Sequence, residues 1–236
     1  MVEDEPQPPR GVEEAVRGKA VTAWARKGLA VVWSSDAEFA EAVTATLNVM
    51  GYSALVPGSR GFRRICGRAR LVVVDARDAR YLPSSCGSAP LLEIGGSTGE
   101  AVADLLRILG ASELAIGIDP GESATGYAMV AQSTVLHGSV VPSRADVASL
   151  VCGIVRRAPG LATVGIGAAP AVRRSAVALA GRLRSTCGVN AVLVDESGSN
   201  REAPPGLRGL GPGMSVHVRA AAVIALRARV ASAIVG

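Results

Sequence analysis

The sequence predicts an α/β protein built from two successive units, and three observations carry that prediction. In residues 28–110, short and continuously apolar runs alternate with helical periodicity, the pattern of parallel strands covered on both faces. Between residues 114 and 141, three strand-like runs follow one another across turns short enough for antiparallel hairpins. From residue 143 onward the order becomes helix, strand, helix, strand, helix.

Composition agrees with a packed protein. A chain of 236 residues that is 49% hydrophobic and 19% charged can bury a sizeable core, which excludes a disordered tail, a collagen-like repeat and a disulfide-stapled miniprotein. No run of about 18 uninterrupted apolar residues is present, so no membrane span or membrane partner is expected. The opening residues, Met1 to Glu14, are acidic and carry prolines, the wrong chemistry for a signal or transit peptide, so a cytoplasmic location is expected.

Taken in order, residues 1–27 read as a leader with a short helix from Val12 to Trp24. The first strand is Leu29 to Trp33; Ser34, Ser35 and Asp36 supply helix-capping side chains, and a helix follows from Glu38 to Met50, ended by Gly51. A second strand, Ser53 to Val56, stops at Pro57-Gly58. An arginine-rich segment (Arg60, Arg63, Arg64, Arg68, Arg70) leads into the strand Leu71 to Asp75, and Pro90 to Ile94 is a fourth strand. A helix from Thr98 to Leu109 ends at Gly110, where the first unit closes. The second unit, 113–236, has strands at Leu114–Asp119, Thr125–Ala131 and Thr134–Val141, a helix at 143–157, a strand at 162–167, a helix at 171–186, a strand at 190–195 and a last helix from 215 to about 234.

Charge is distributed unevenly between the halves. From Pro142 onward there are 12 arginines against four acids, a net of +8, so the overall +5 leaves about −3 for the first 141 residues. A basic half suits a nucleic-acid partner, and a solvated arginine face is the plainer alternative. Arginine supplies 23 of the 25 basic residues, while asparagine and glutamine together number five. The four cysteines, Cys66, Cys86, Cys152 and Cys187, are too far apart in sequence for a zinc-knuckle spacing. Buried free thiols are the expectation, with Cys66–Cys86 or Cys152–Cys187 bridges conceivable only where the cytosol tolerates disulfides.

The first unit resembles a response-regulator receiver domain in its strand and helix spacing, the Met50-Gly51-Tyr52 turn and the strand ending in Asp75. The resemblance implies a flavodoxin-like parallel sheet. Receivers also place an acidic pair after the first strand and a lysine after a later one; this chain has Trp33-Ser34 at the former, and its two lysines are Lys19 and Lys27. A binding or dimerisation module is therefore expected in place of a phosphoacceptor, and with it a homodimer.

In the second unit, Ala115, Gly117 and Asp119 share one strand face while Leu114, Ile116 and Ile118 share the other, so a carboxylate stands on a face of small residues. Such a face leaves room for a metal ion and a phosphate backbone, or for close packing of the alanine-rich last helix. The segment from Ile116 to Ala128, with its Gly117-Ile118-Asp119-Pro120-Gly121 core and Thr125-Gly126-Tyr127, resembles the opening hairpin of RuvC-type Holliday junction resolvases and the related YqgF family. With the element order it implies a ribonuclease H-like fold over residues 113–236.

The resemblance further implies carboxylates gathered around Mg²⁺ or Mn²⁺. Asp119 takes the first position. The fourth strand ends Val164-Gly165-Ile166-Gly167 where the resolvases carry a glutamate, whereas Asp195-Glu196-Ser197 matches the acidic end of the YqgF fifth strand. Glu196 is thus the second catalytic and metal-binding candidate, with Asp195 as its alternative. His217 is a third metal candidate, although the usual aspartate position three residues later is Ala220. Arg173, Arg174, Arg201, Arg208 and Arg219 are the candidate backbone contacts, the loop residues Arg201 and Arg208 closing over a strand beside the site. Two functions follow: a metal-dependent endonuclease on structured DNA or RNA, or a catalytically inactive pseudonuclease kept as a binding or assembly module.

Overall fold

The computed structural model of the chain describes residues 27–82, 89–121, 123–195, 206–211 and 213–235. The expected leader helix, Cys86, Glu196 and Arg201 lie outside the described residues.

The first unit comprises β1 (Leu29–Trp33), α1 (Ala37–Val49), β2 (Ser53–Leu55), α2 (Ser59–Cys66), β3 (Leu71–Asp75), a 3₁₀ turn (Ala79–Tyr81), β4 (Leu91–Ile94) and α3 (Thr98–Ile108). Its sheet is parallel throughout, in the order β2-β1-β3-β4. Local chemistry sets the helix ends. Asp36 caps α1 by accepting the Glu38 and Phe39 amides, Ser97 and Glu100 form a reciprocal capping box on α3, and Gly51 and Gly110 take the left-handed conformation just past each helix. The arginine-rich segment is itself a helix, α2. Its apolar residues, Phe62, Ile65 and Cys66, are few but spaced i, i+3, i+4, so one narrow face packs on Val31, Val72 and Val74 while Arg63 and Arg64 are exposed.

The second unit comprises β5 (Leu114–Pro120), β6 (Thr125–Ala131), β7 (Thr134–Val141), α4 (Arg144–Arg157), β8 (Ala162–Gly167), α5 (Arg173–Cys187), β9 (Val192–Val194) and α6 (Val216–Val235). Its mixed sheet has the order β7-β6-β5-β8-β9, with β6 antiparallel to both neighbours and the β5-β8-β9 pairs parallel. Gln132 and Ser133 turn β6 into β7 with both residues at positive φ (47° and 60°), the geometry of a type I′ hairpin.

Besides clusters confined to one sheet, the two units share a core. One cluster joins Ala42 of α1 and Val102, Ala103 and Leu106 of α3 to Ile116, Met129, Val147, Val151 and Ile154 of the second unit. The opposite face of α3 places Ala101 and Leu105 against the first sheet. Gly99 lets α3 approach α4 closely, since a Cβ there would lie 2.8 Å from the Ile154 side chain. On the far side of the second sheet, α6 runs over β5, β6 and β8, with Ala221, Ala222 and Ala225 buried against Ala115, Ala128 and Val130.

The cysteines depart from expectation. Cys152 of α4 and Cys187 at the end of α5 form a disulfide, their Cα atoms 5.6 Å apart. That separation falls within the usual bridging window, and the bridge is one of the two pairings the sequence allowed as alternatives to the expected free thiols. Cys66 is buried in the first unit.

Candidate functional site

Asp119 stands at the carboxyl end of β5, next to the β5–β6 turn. The small face of the strand is taken up by α6, so the expected open space is filled along most of its length. A Cβ at Gly117 would overlap the Ala221 carbonyl, and one at Gly165 would come within 2.5 Å of the Ala228 Cβ. At the start of the helix, His217 sits over two further glycines: a Cβ at Gly126 would lie 2.5 Å from the His217 carbonyl, and one at Gly121 would lie 3.1 Å from Cε1 of the ring.

Seated there, His217 donates its Nδ1–H to Asp119 Oδ2 at 2.8 Å. The Asp119 side chain is 14% exposed and that of His217 36%, so the pair sits at the rim of the sheet with the imidazole on the solvent side. The structure therefore brings together two of the three residues singled out as metal ligands, 98 positions apart in sequence.

Fit to a pair of magnesium ions can be judged from the donors. Magnesium takes a near-octahedral shell of oxygens, and a two-ion centre holds its metals roughly 4 Å apart between several carboxylates. Here one oxygen of Asp119 is engaged by an imidazole, Gly167 ends the neighbouring strand without a side chain, and Ala220 is buried against the sheet. Asp195 is exposed beyond β9, where its backbone carbonyl accepts from Arg227. Among the described residues no group of three His, Cys, Asp or Glu side chains is arranged to hold a metal. The described residues do not by themselves make up a two-magnesium centre.

The candidate arginines separate. Arg173 and Arg174 open α5 just after the carboxyl end of β8, at the same end of the sheet as Asp119, and both are exposed. Cations at a helix amino end oppose the helix dipole, so their placement there is not explained by helix stability. Arg219 lies in the first turn of α6, exposed, with one guanidinium nitrogen donating to the Gly211 carbonyl. Arg208 is elsewhere. Its amide donates to the Ser133 carbonyl and its carbonyl accepts from Val135, which fixes it beside the β6–β7 turn. That is the opposite end of the sheet, five residues along β6 or roughly 17 Å from the Asp119 rim. The segment carrying Arg208 thus runs along β7 because its backbone pairs with that strand, and it does not close over Asp119.

In the first unit, Asp75 is buried at the end of β3 and fully engaged. Arg77 donates from Nε (3.0 Å) and from a terminal nitrogen (2.6 Å), Ser34 donates its hydroxyl (3.2 Å), and the same Arg77 reaches Asp36 at 3.0 Å. Burial works to raise the Asp75 carboxyl, but the hydrogen bonds from Arg77 outweigh it and hold the group below the ordinary carboxylate range. An arginine two residues on thus neutralises the position at which a receiver would be phosphorylated.

One buried polar pair lies outside the residues singled out from the sequence. Tyr127 of β6 and His137 of β7 are hydrogen-bonded at 2.5 Å between the two units, with Glu38 of α1 at 3.6 Å from the same ring nitrogen. Their signal was present only as inward positions on facing strands. No protein-family model, curated protein or solved structure matches this chain. Among the described residues no helix is long and apolar enough to cross a membrane.

Proposed function

We propose that the second unit is a ribonuclease H-like module, related to the RuvC and YqgF families, that binds structured DNA or RNA without two-metal catalysis. The strand order β7-β6-β5-β8-β9, with β6 alone reversed, supports the fold. The observation that carries the functional reading is the engagement of Asp119 by His217 with Gly167 and Ala220 at the other ligand positions. At that end of the sheet the described residues place the paired Asp119, the exposed Asp195 and the exposed Arg173 and Arg174, and the two arginines are suited to phosphate contacts. The endonuclease alternative draws on the same pair, since Asp119 stands at the expected place and Glu196 lies outside the described residues.

Incubation of the protein with four-way junctions, flaps and structured RNA in Mg²⁺ or Mn²⁺ separates the two. Binding that weakens steeply with salt, without cleavage, is expected. Replacing Arg173 and Arg174 together by alanine should reduce the slope of log K against log salt by about 2. Cleavage by the wild type that Asp119→Asn abolishes would establish the endonuclease instead, and absence of both binding and cleavage would leave an assembly module.

A further inference from the structure

A cleft of about 600 Å³ opens at the carboxyl ends of the first sheet, lined by first-unit residues. It lies where the chain leaves β1 and β3, the two central strands, whose onward connections diverge; in open α/β sheets this divergence leaves a crevice outside the strand ends. Its volume is within the roughly 300–1,000 Å³ typical of small-ligand sites.

The walls have a definite chemistry. Trp33 and Tyr81 both line the cleft, with Pro57 and Gly58 on the rim. Trp33 is held by an edge-on contact with Phe62, ring centroids 4.4 Å apart, so its ring is already in place. Tyr81 is 59% exposed even though the Arg80 guanidinium lies 4.7 Å from its ring centroid, which leaves aromatic surface available for stacking. Arg80 takes part in none of the ion pairs among the described residues, so its charge is open to an anion. A carboxylate is among the lining groups: Asp78, buried, accepts the Ser35 amide (2.5 Å) and hydroxyl (3.0 Å), which orients the carboxylate and leaves it further acceptor capacity.

We propose that this cleft binds a nucleobase. The planar ring stacks against Tyr81 and Trp33, a ring or exocyclic N–H donates to Asp78, and an attached phosphate meets Arg80. The base belongs either to a free nucleotide or to a single strand; the recognised chemistry is the same. The proposal does not rest on the nucleic-acid reading of the second unit, which it leaves untouched if it fails.

Gly58 provides the decisive variant. Gly58 lines the cleft and a Cβ there meets no atom within 4 Å, so a larger side chain is accommodated at the cleft wall without displacing a neighbour. Calorimetric titration of the full chain with AMP, GMP, CMP and UMP, with ribose 5-phosphate as the base-free control, should give saturable binding of at least one nucleotide and none of the control. Both Gly58→Phe and Tyr81→Ala should weaken that binding at least about fivefold, the loss of one stacked base, with unchanged thermal unfolding. A homopolymeric single-stranded decanucleotide tests the second source: binding of the decanucleotide alone, weakened by Gly58→Phe but not by Arg173→Ala/Arg174→Ala, assigns the site to a base within a strand. No saturable binding of any nucleotide or decanucleotide, or binding that Gly58→Phe leaves unchanged, overturns the proposal.

Discussion

At the scale of single residues, His137 shows how burial decides an ionisable group's behaviour. Its side chain is 6% exposed between β7 and α1, and loss of hydration pushes its pKa down to about 4 despite Glu38 nearby. Because the folded value is below the unfolded one of about 6.5, the unfolded chain binds the extra proton between the two. The stability that this residue confers is therefore complete above about pH 6.5 and is lost as pH falls toward 4, by up to about 3 kcal/mol. Urea midpoints for wild type and His137→Gln at pH 7.5 and 4.5 check this: the wild type should lose more stability on acidification than the variant. Asp75 illustrates the opposite outcome, since Arg77 is close enough to overcome the same burial penalty.

At the scale of elements, the contact between α6 and the second sheet depends on what the glycines lack. Gly117→Ala would push its methyl into the Ala221 backbone, and neither a central strand nor a buried helix backbone can move aside easily. A loss of roughly 3 kcal/mol is expected, read as a lower unfolding midpoint, together with weaker seating of His217 on Asp119. The α4–α5 contact is secured differently. Closing 35 residues by the Cys152–Cys187 bridge restricts the unfolded chain, so Cys152→Ala should cost about 3–4 kcal/mol. Thermal melts of wild type with and without reductant should reproduce that difference; equal melting temperatures would remove the bridge as a source of stability.

At the scale of the whole molecule, the two units share α1 and α3 between their sheets. Leu106 is fully buried in the joint cluster although it belongs to the first unit by sequence. Leu106→Ala should therefore destabilise the chain by about 2–5 kcal/mol and lower the unfolding of both sheets together. Hydrogen exchange that reports β3 and β5 separately measures this; independent melting of β5 at its wild-type temperature would show that the joint core does not couple them.

Much of this architecture is legible from the chain alone. Apolar runs such as Leu71 to Val74 and Leu114 to Ile118 define the strands, because only a doubly covered sheet accommodates such continuous hydrophobicity. Capping residues such as Asp36 and Ser97 and the glycines at 51 and 110 set helix limits through interactions confined to a few neighbours. The eight-residue α2 was harder to read, since three apolar positions among arginines give little periodicity.

Asp119 and His217 could be singled out separately, by the types of residue around them. Their pairing, the Cys152–Cys187 bridge, the Tyr127–His137 contact and the removal of Arg208 to the far end of the sheet are decided only by tertiary structure. The physical reason is common to all four: each depends on distances between segments tens of residues apart, set by how α6 fits over the glycines, how α4 meets α5 and which strand the 206–211 segment pairs with. Sequence determined which side chains were available to the site; packing determined that the Asp119 carboxylate is held by a histidine.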